Sequence, residues 1–144
     1  DLKAAVWTIP AVRMKAKREH RVPLSTEALA LVKEVWTEGL LFPGVKDKPL
    51  TTAATLAVAK ELQPGITSHG FRSTFRDWAG DMTSFPREVT EQALAHVIKD
   101  KTEAAYRRKD ALERRRRLMQ EWSTFCSTPR QSGENVTPIG RATG

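Results

Sequence analysis

At 144 residues the chain suffices for one ordinary domain with its own core and excludes two large ones. No apolar run approaches the roughly 18 residues of a membrane span and no apolar signal core opens the chain, so a soluble protein is expected. The single cysteine, Cys126, excludes an internal disulfide framework and favours the cytoplasm, while 24 Lys and Arg against 17 Asp and Glu leave a net charge of +7 that favours a polyanionic partner.

In chain order, residues 5–9 read as a β-strand and residues 21–24 as its hairpin partner, joined by the polar stretch 13–20. Pro10 and Pro23 lack a ladder donor and mark strand ends or an edge. Five cations, Arg13, Lys15, Lys17, Arg18 and Arg21, crowd this connection against one anion. Ser25 is placed to cap a first helix, with Glu27 in its first turn and Ala28, Leu31, Val32, Val35 and Trp36 on one face until Gly39. Pro43, Gly44 and Pro49 mark a loop, and a second helix spans about 52–62, closed by Pro64 and Gly65.

From Ser68 the spacing of Phe71, Phe75 and Trp78 puts three aromatics on one face of a third helix, while His69, Arg72 and Arg76 share another. Pro86 fits the first position of a fourth helix that runs to about Ala95, with Val89, Ala93 and Leu94 inward and His96 at its end. Asp100 with Glu103 resembles a capping box for a fifth helix, in which Tyr106 falls about two turns in. Beyond it Leu112, Leu118, Met119, Trp122, Phe125 and Cys126 predict a long amphipathic helix whose polar side carries Arg114 to Arg117. From Ser127 the composition shifts to Ser, Thr, Pro, Gly and Arg, which predicts a mostly disordered tail with a candidate short strand at 136–139. Because a lone two-stranded hairpin is marginal, the chain reads as opening in mid-sheet, truncated at its N-terminus.

Tyr106 is the sole tyrosine; it lies ten residues after His96, which lies 24 after Arg72. The segments His69-Gly70-Phe71-Arg72 and Leu94-Ala95-His96, followed by Tyr106, resemble the tyrosine recombinase, or phage integrase, family. Lys15, seven residues before Val22 in the hairpin, matches the active lysine of that pattern, with Lys17 as the alternative. Trp7-Thr8-Ile9-Pro10 and Ala104-Ala105-Tyr106 resemble the branch of prophage and genomic-island integrases. The resemblance covers roughly residues 3–125 and implies an α+β, mostly helical catalytic domain with an N-terminal antiparallel hairpin, the DNA breaking-rejoining enzyme fold. The family also uses an arginine upstream of the first strand, in a Gly-Glu-hydrophobic-Arg type of segment that this sequence does not contain. Residues 1–126 are therefore expected to be a partial catalytic domain, inactive alone, and 127–144 a mostly disordered tail, a candidate docking arm because the family exchanges C-terminal segments between protomers.

The resemblance implies site-specific recombination through a 3′-phosphotyrosyl intermediate, and the chemistry explains the residue types. A phosphodiester needs a nucleophile, cations for its charged oxygens and an acid for the departing 5′ oxygen. Tyr106 would be the nucleophile, Arg72 the planar clamp on two phosphate oxygens, His69 a proton acceptor or donor, His96 a donor to a non-bridging oxygen, and Lys15 the acid. No cofactor is expected, and His20, His69 and His96 lack companions at metal-ligand spacing. Implied partners are double-stranded attachment sites, three further copies in a tetramer, and accessory DNA-bending or directionality factors, acting at the cytoplasmic nucleoid. Each residue has a plainer reading. A sole tyrosine usually packs, His69 can serve its helix terminus, His96 can be a core histidine, and His20 is a hairpin surface residue. Arg76 reads as a helix-surface salt bridge, and Arg114 to Arg117 as either a solvated face or a contact to DNA backbone. Two rival functions stand beside integration: DNA relaxation of the type IB topoisomerase kind, and a non-catalytic DNA-binding integrase remnant.

Overall fold

The computed structural model describes residues 1–96 and 112–129. Strand β1 (Val6–Ile9) pairs antiparallel with β2 (His20–Pro23), Val6 facing Pro23 and Ile9 facing His20. Pro23 therefore ends the strand, where its missing donor costs nothing, and the ladder is extended outward by the Leu24 N–H donating to the Ala5 carbonyl at 2.9 Å. The connection begins with a short 3₁₀ turn, Ala11–Arg13, and ends in an exposed basic stretch.

Five α-helices follow among the described residues: α1 (Thr26–Glu34), α2 (Thr52–Leu62), α3 (Ser68–Met82), α4 (Arg87–Ala93) and α5 (Leu112–Ser127). The first three start alike. Ser25, Thr51 and Thr67 each turn a side-chain oxygen back to accept an N–H three residues on, at 3.1, 3.2 and 3.0 Å, which satisfies a donor the helix itself leaves orphaned. Pro86 sits at the N-cap of α4, one residue earlier than its ring favours. None of the described helices is long and apolar enough to cross a membrane. The α+β, mostly helical class with an N-terminal hairpin is what the chain adopts.

The core is built by α3, α4 and α5. Phe75, Trp78, Ala79, Val89, Leu94 and Leu118 are buried, with Phe85, Ala93, Met119, Trp122 and Phe125 packed against them. Phe75 and Trp122 meet edge-on at 5.4 Å, and Trp78 lies 5.0 Å from Trp122 and 5.7 Å from Phe125. Such contacts add to the area these rings bury and fix how α5 rotates against α3. Towards its start, α5 reaches the hairpin: Arg115 is buried and donates to the Arg21 carbonyl at 2.5 Å, and Arg116 donates to the Ala4 carbonyl at 3.2 Å. Midway, the Gln120 side chain accepts from the Thr26 N–H at 2.9 Å and donates to Glu27, tying α5 to the first turn of α1.

Three expectations need correction. Helix α1 stops at Glu34 rather than running to Gly39, and Leu31, Val35 and Trp36 of its expected inner face are exposed. The helix leans on α5 through its N-terminal turn, so Ala28, Leu29 and Val32 are half-covered instead. Phe71 is 56% exposed, lining an open cleft with Leu56 and Ala59 of α2, so the inward aromatic stripe of α3 is Phe75 and Trp78 alone. Arg115 leaves the polar side of α5 entirely, because a strand carbonyl accepts its guanidinium.

Candidate active site

The site forms where one face of α3 meets the end of α4. The buried stripe Phe75, Trp78 and Ala79 fixes the rotation of α3 and turns Arg72 and Arg76, one turn apart, towards α4. The end of α4 is a Schellman turn. Ala95 adopts the left-handed region, φ 56°, its N–H bonds the Gln92 carbonyl at 3.0 Å, and the His96 N–H bonds the Glu91 carbonyl at 2.9 Å. An alanine at that φ carries strain of about 1–2 kcal/mol, so surrounding contacts must hold the turn.

Those contacts explain why a leucine, one residue and a histidine act together. The Leu94 side chain is buried in the core while its carbonyl, freed by the end of the helix, accepts from Arg72 Nη2 at 2.6 Å. The left-handed step at Ala95 then reverses the chain, and His96 Nε2 comes to 2.8 Å from the same Arg72 nitrogen. A guanidinium only donates, so His96 Nε2 accepts and the ring proton lies on Nδ1. That Nδ1–H donates to Glu91 Oε2. Two residues separated by 24 positions are thus joined directly.

Glu91 was not singled out by the sequence reading, and it is the hub of this network. Its side chain is 16% exposed, and Oε1 lies 3.2 Å from Arg76 Nε and 3.7 Å from Arg87 Nε. The hydrogen bond from His96 holds its carboxyl below the ordinary carboxylate range; burial opposes this, and the positive charges of Arg76 and Arg87 add to it. The signal available in the sequence was the i,i+4 pair Arg87 and Glu91. Arg76 forms the helix-surface salt bridge expected of it.

The remaining candidates are placed without being joined to this cluster. His69 is exposed in the first turn of α3, three residues before Arg72. Lys15 is exposed in a hairpin turn closed by the Lys17 N–H donating to the Met14 carbonyl at 3.0 Å, and Lys17 itself takes a positive φ of 52°. Among the described residues neither His69 nor Lys15 makes a side-chain hydrogen bond or ion pair to Arg72 or His96. Tyr106, the capping box at Asp100 and Glu103, the tail beyond Pro129 and the candidate strand at 136–139 lie outside the described residues.

Chemically, the cluster presents an anion-binding surface. Arg72 is exposed, and among the described residues its Nε and Nη1 make no hydrogen bond, so these donors remain for an anion while Nη2 is held by Leu94 and His96. A guanidinium held in this way suits a phosphate oxygen.

The known proteins most similar in sequence among those found are phage and prophage integrases. Residues 1–113 match the family model described as the phage integrase family. The prophage integrase IntA of Escherichia coli K12 is 40% identical over 131 residues, covering 85% of this chain and 32% of its own length. The prophage integrase IntZ of the same strain is 34% identical over 130 residues, with the same coverages, and the integrase of Enterobacteria phage P4 is 29% identical over 153 residues, covering 90% and 35%. The chain spans about a third of the length of these relatives. No solved structure matches at a comparable level.

Proposed function

The chain belongs to the phage integrase family, and from that premise we propose that it serves site-specific DNA recombination, integrating a prophage or genomic island through a phosphotyrosyl intermediate. The observation that carries the reading is the 2.8 Å contact between Arg72 and His96, which brings two of the motif residues together.

In the reaction the Tyr106 phenol oxygen attacks the scissile phosphorus and its proton passes to His69. Arg72 neutralises and orients the non-bridging oxygens, where charge gathers in the transition state, and His96, doubly protonated and released from Arg72, donates its Nε2–H to one of them. The bond from phosphorus to the 5′ oxygen breaks, and that oxygen takes a proton from Lys15, or from Lys17 two residues on. The product is a 3′-phosphotyrosyl ester and a free 5′ hydroxyl. A 5′ hydroxyl from a second duplex reverses the sequence, expelling Tyr106 and joining the new strand. One phosphodiester is exchanged for another of similar energy, so no nucleotide hydrolysis is required.

The substrate is a pair of double-stranded attachment sites in the nucleoid, synapsed by four copies with DNA-bending or directionality factors. The catalytic unit is residues 1–126, with 127–144 as the docking arm. With a net charge of +7, duplex affinity falls as salt rises. The test uses the chain with all residues its gene encodes on either side, mixed with a pool of nicked duplexes of varied sequence. A denaturation-resistant adduct that disappears in Tyr106→Phe supports the reading. Persistence of that adduct in Tyr106→Phe, or its absence from the wild type, overturns it.

A further inference from the structure

We infer that Glu91 is a positioning residue for this reaction: it fixes the tautomer and ring orientation of His96, and through His96 the attitude of Arg72. The inference rests on the recombinase reading for its catalytic consequence, though not for its geometry. Glu91 grips His96 twice, by its backbone carbonyl on the His96 N–H at 2.9 Å and by Oε2 on Nδ1–H. An imidazole has two nitrogens on opposite edges, and a ring free to turn by 180° would present either of them to Arg72. With Nδ1 committed to a carboxylate, only Nε2 faces the guanidinium, and any proton that His96 exchanges with a bound phosphate passes through Nε2.

The carboxylate is itself fixed. Its Oε1 is in ion-pair range of Arg76 at 3.2 Å and of Arg87 at 3.7 Å. The arrangement reads as a chain from Arg76 and Arg87 through Glu91 and His96 to Arg72. A carboxylate suits this role because it accepts and never donates when ionised, so it selects the Nδ1–H tautomer; an amide in its place offers a donor as well and selects neither.

Three variants of the full-length protein test the assignment: Glu91→Gln, Glu91→Asp and, as a control on the same helix, Glu88→Gln. Two quantities are read in each. One is the single-turnover rate of Tyr106 adduct formation on the nicked duplex, beside duplex affinity. The other is the His96 tautomer, from nitrogen-15 shifts of histidine-labelled protein at alkaline pH, where an imidazole is neutral. Loss of an orienting partner of a functional histidine commonly costs ten- to hundredfold, so Glu91→Gln is expected to slow cleavage by roughly that factor with affinity unchanged. Its His96 Nδ1 signal should shift from the wild-type position, because the Nδ1–H then meets an amide in place of a carboxylate. Glu91→Asp should keep the Nδ1–H tautomer and recover part of the rate, and Glu88→Gln should match the wild type in both.

A wild-type His96 that carries its proton on Nε2 overturns the inference, and this reading needs no variant to fold. So does a Glu91→Gln protein whose cleavage rate equals the wild type. Should the wild type form no Tyr106 adduct, the recombinase reading fails while the tautomer measurement still decides whether Glu91 holds His96.

Discussion

Arg72 and His96 are held from more than one side, whereas His69 and Lys15 stand on exposed backbone with no side-chain hydrogen bond or ion pair among the described residues. In the proposed reaction the contrast separates two kinds of work. Groups that neutralise phosphate charge gain from being ordered before substrate arrives, because the entropy of fixing them is then spent in folding. Groups that move protons must meet a phenol and a 5′ oxygen whose positions are set only with DNA in place. A hairpin turn and the open first turn of a helix leave them free to do so.

The most forceful way to break this contrast is Arg72→Lys. A lysine keeps the charge but is a single point donor on a flexible stem, unable to hold the Leu94 carbonyl, face His96 and fork a phosphate together. Single-turnover cleavage by the full-length protein should fall about 10²–10³-fold, the range seen when one such donor is lost. A loss below tenfold would mean that the prebuilt fork is not the clamp.

Lys15→Ala should come next, slowing cleavage by about 10²-fold while leaving the melting temperature unchanged, since among the described residues the side chain has no partner to lose. A duplex with sulfur in place of the 5′ bridging oxygen should recover the rate, because a thiolate departs without an acid. If Lys17→Ala shows the loss and the sulfur rescue instead, the proton donor is Lys17.

The smallest effect sharpens the ordered side. The Glu91 carboxyl lies below its ordinary value of 4.5 in the folded chain, chiefly through His96 and then through Arg76 and Arg87. A group depressed in this way adds stability that is fully present above the unfolded value and is lost as pH falls through the lower folded one. Urea midpoints of the wild type should therefore drop below pH 4.5 more steeply than those of Glu91→Gln. Parallel curves would show that the carboxylate is not energetically engaged with its partners.

Much of this was legible in the sequence where a local rule was sufficient. Ser25 announced α1, and the span of α2 and the hairpin registered through turn residues and alternation. Arg72 and His96 were named from motif spacing, and the structure brings them together. Periodicity, however, says which residues share a face and not whether anything covers it, so Leu31, Trp36 and Phe71 read as core and are exposed. Glu91 escaped notice because it reaches His96 across a chain reversal, five residues away and off the helical period. Arg115 looked like one more surface charge because its acceptor is a backbone carbonyl, which a sequence does not display.

The arginines that bind the hairpin backbone have a mechanical consequence. They belong to the opening turns of α5, six residues or more beyond Tyr106, and the strand they hold leads directly back to the turn bearing Lys15 and Lys17. A strut therefore couples the opening turns of α5 to the loop bearing Lys15 and Lys17, and a pull on one is transmitted to the other.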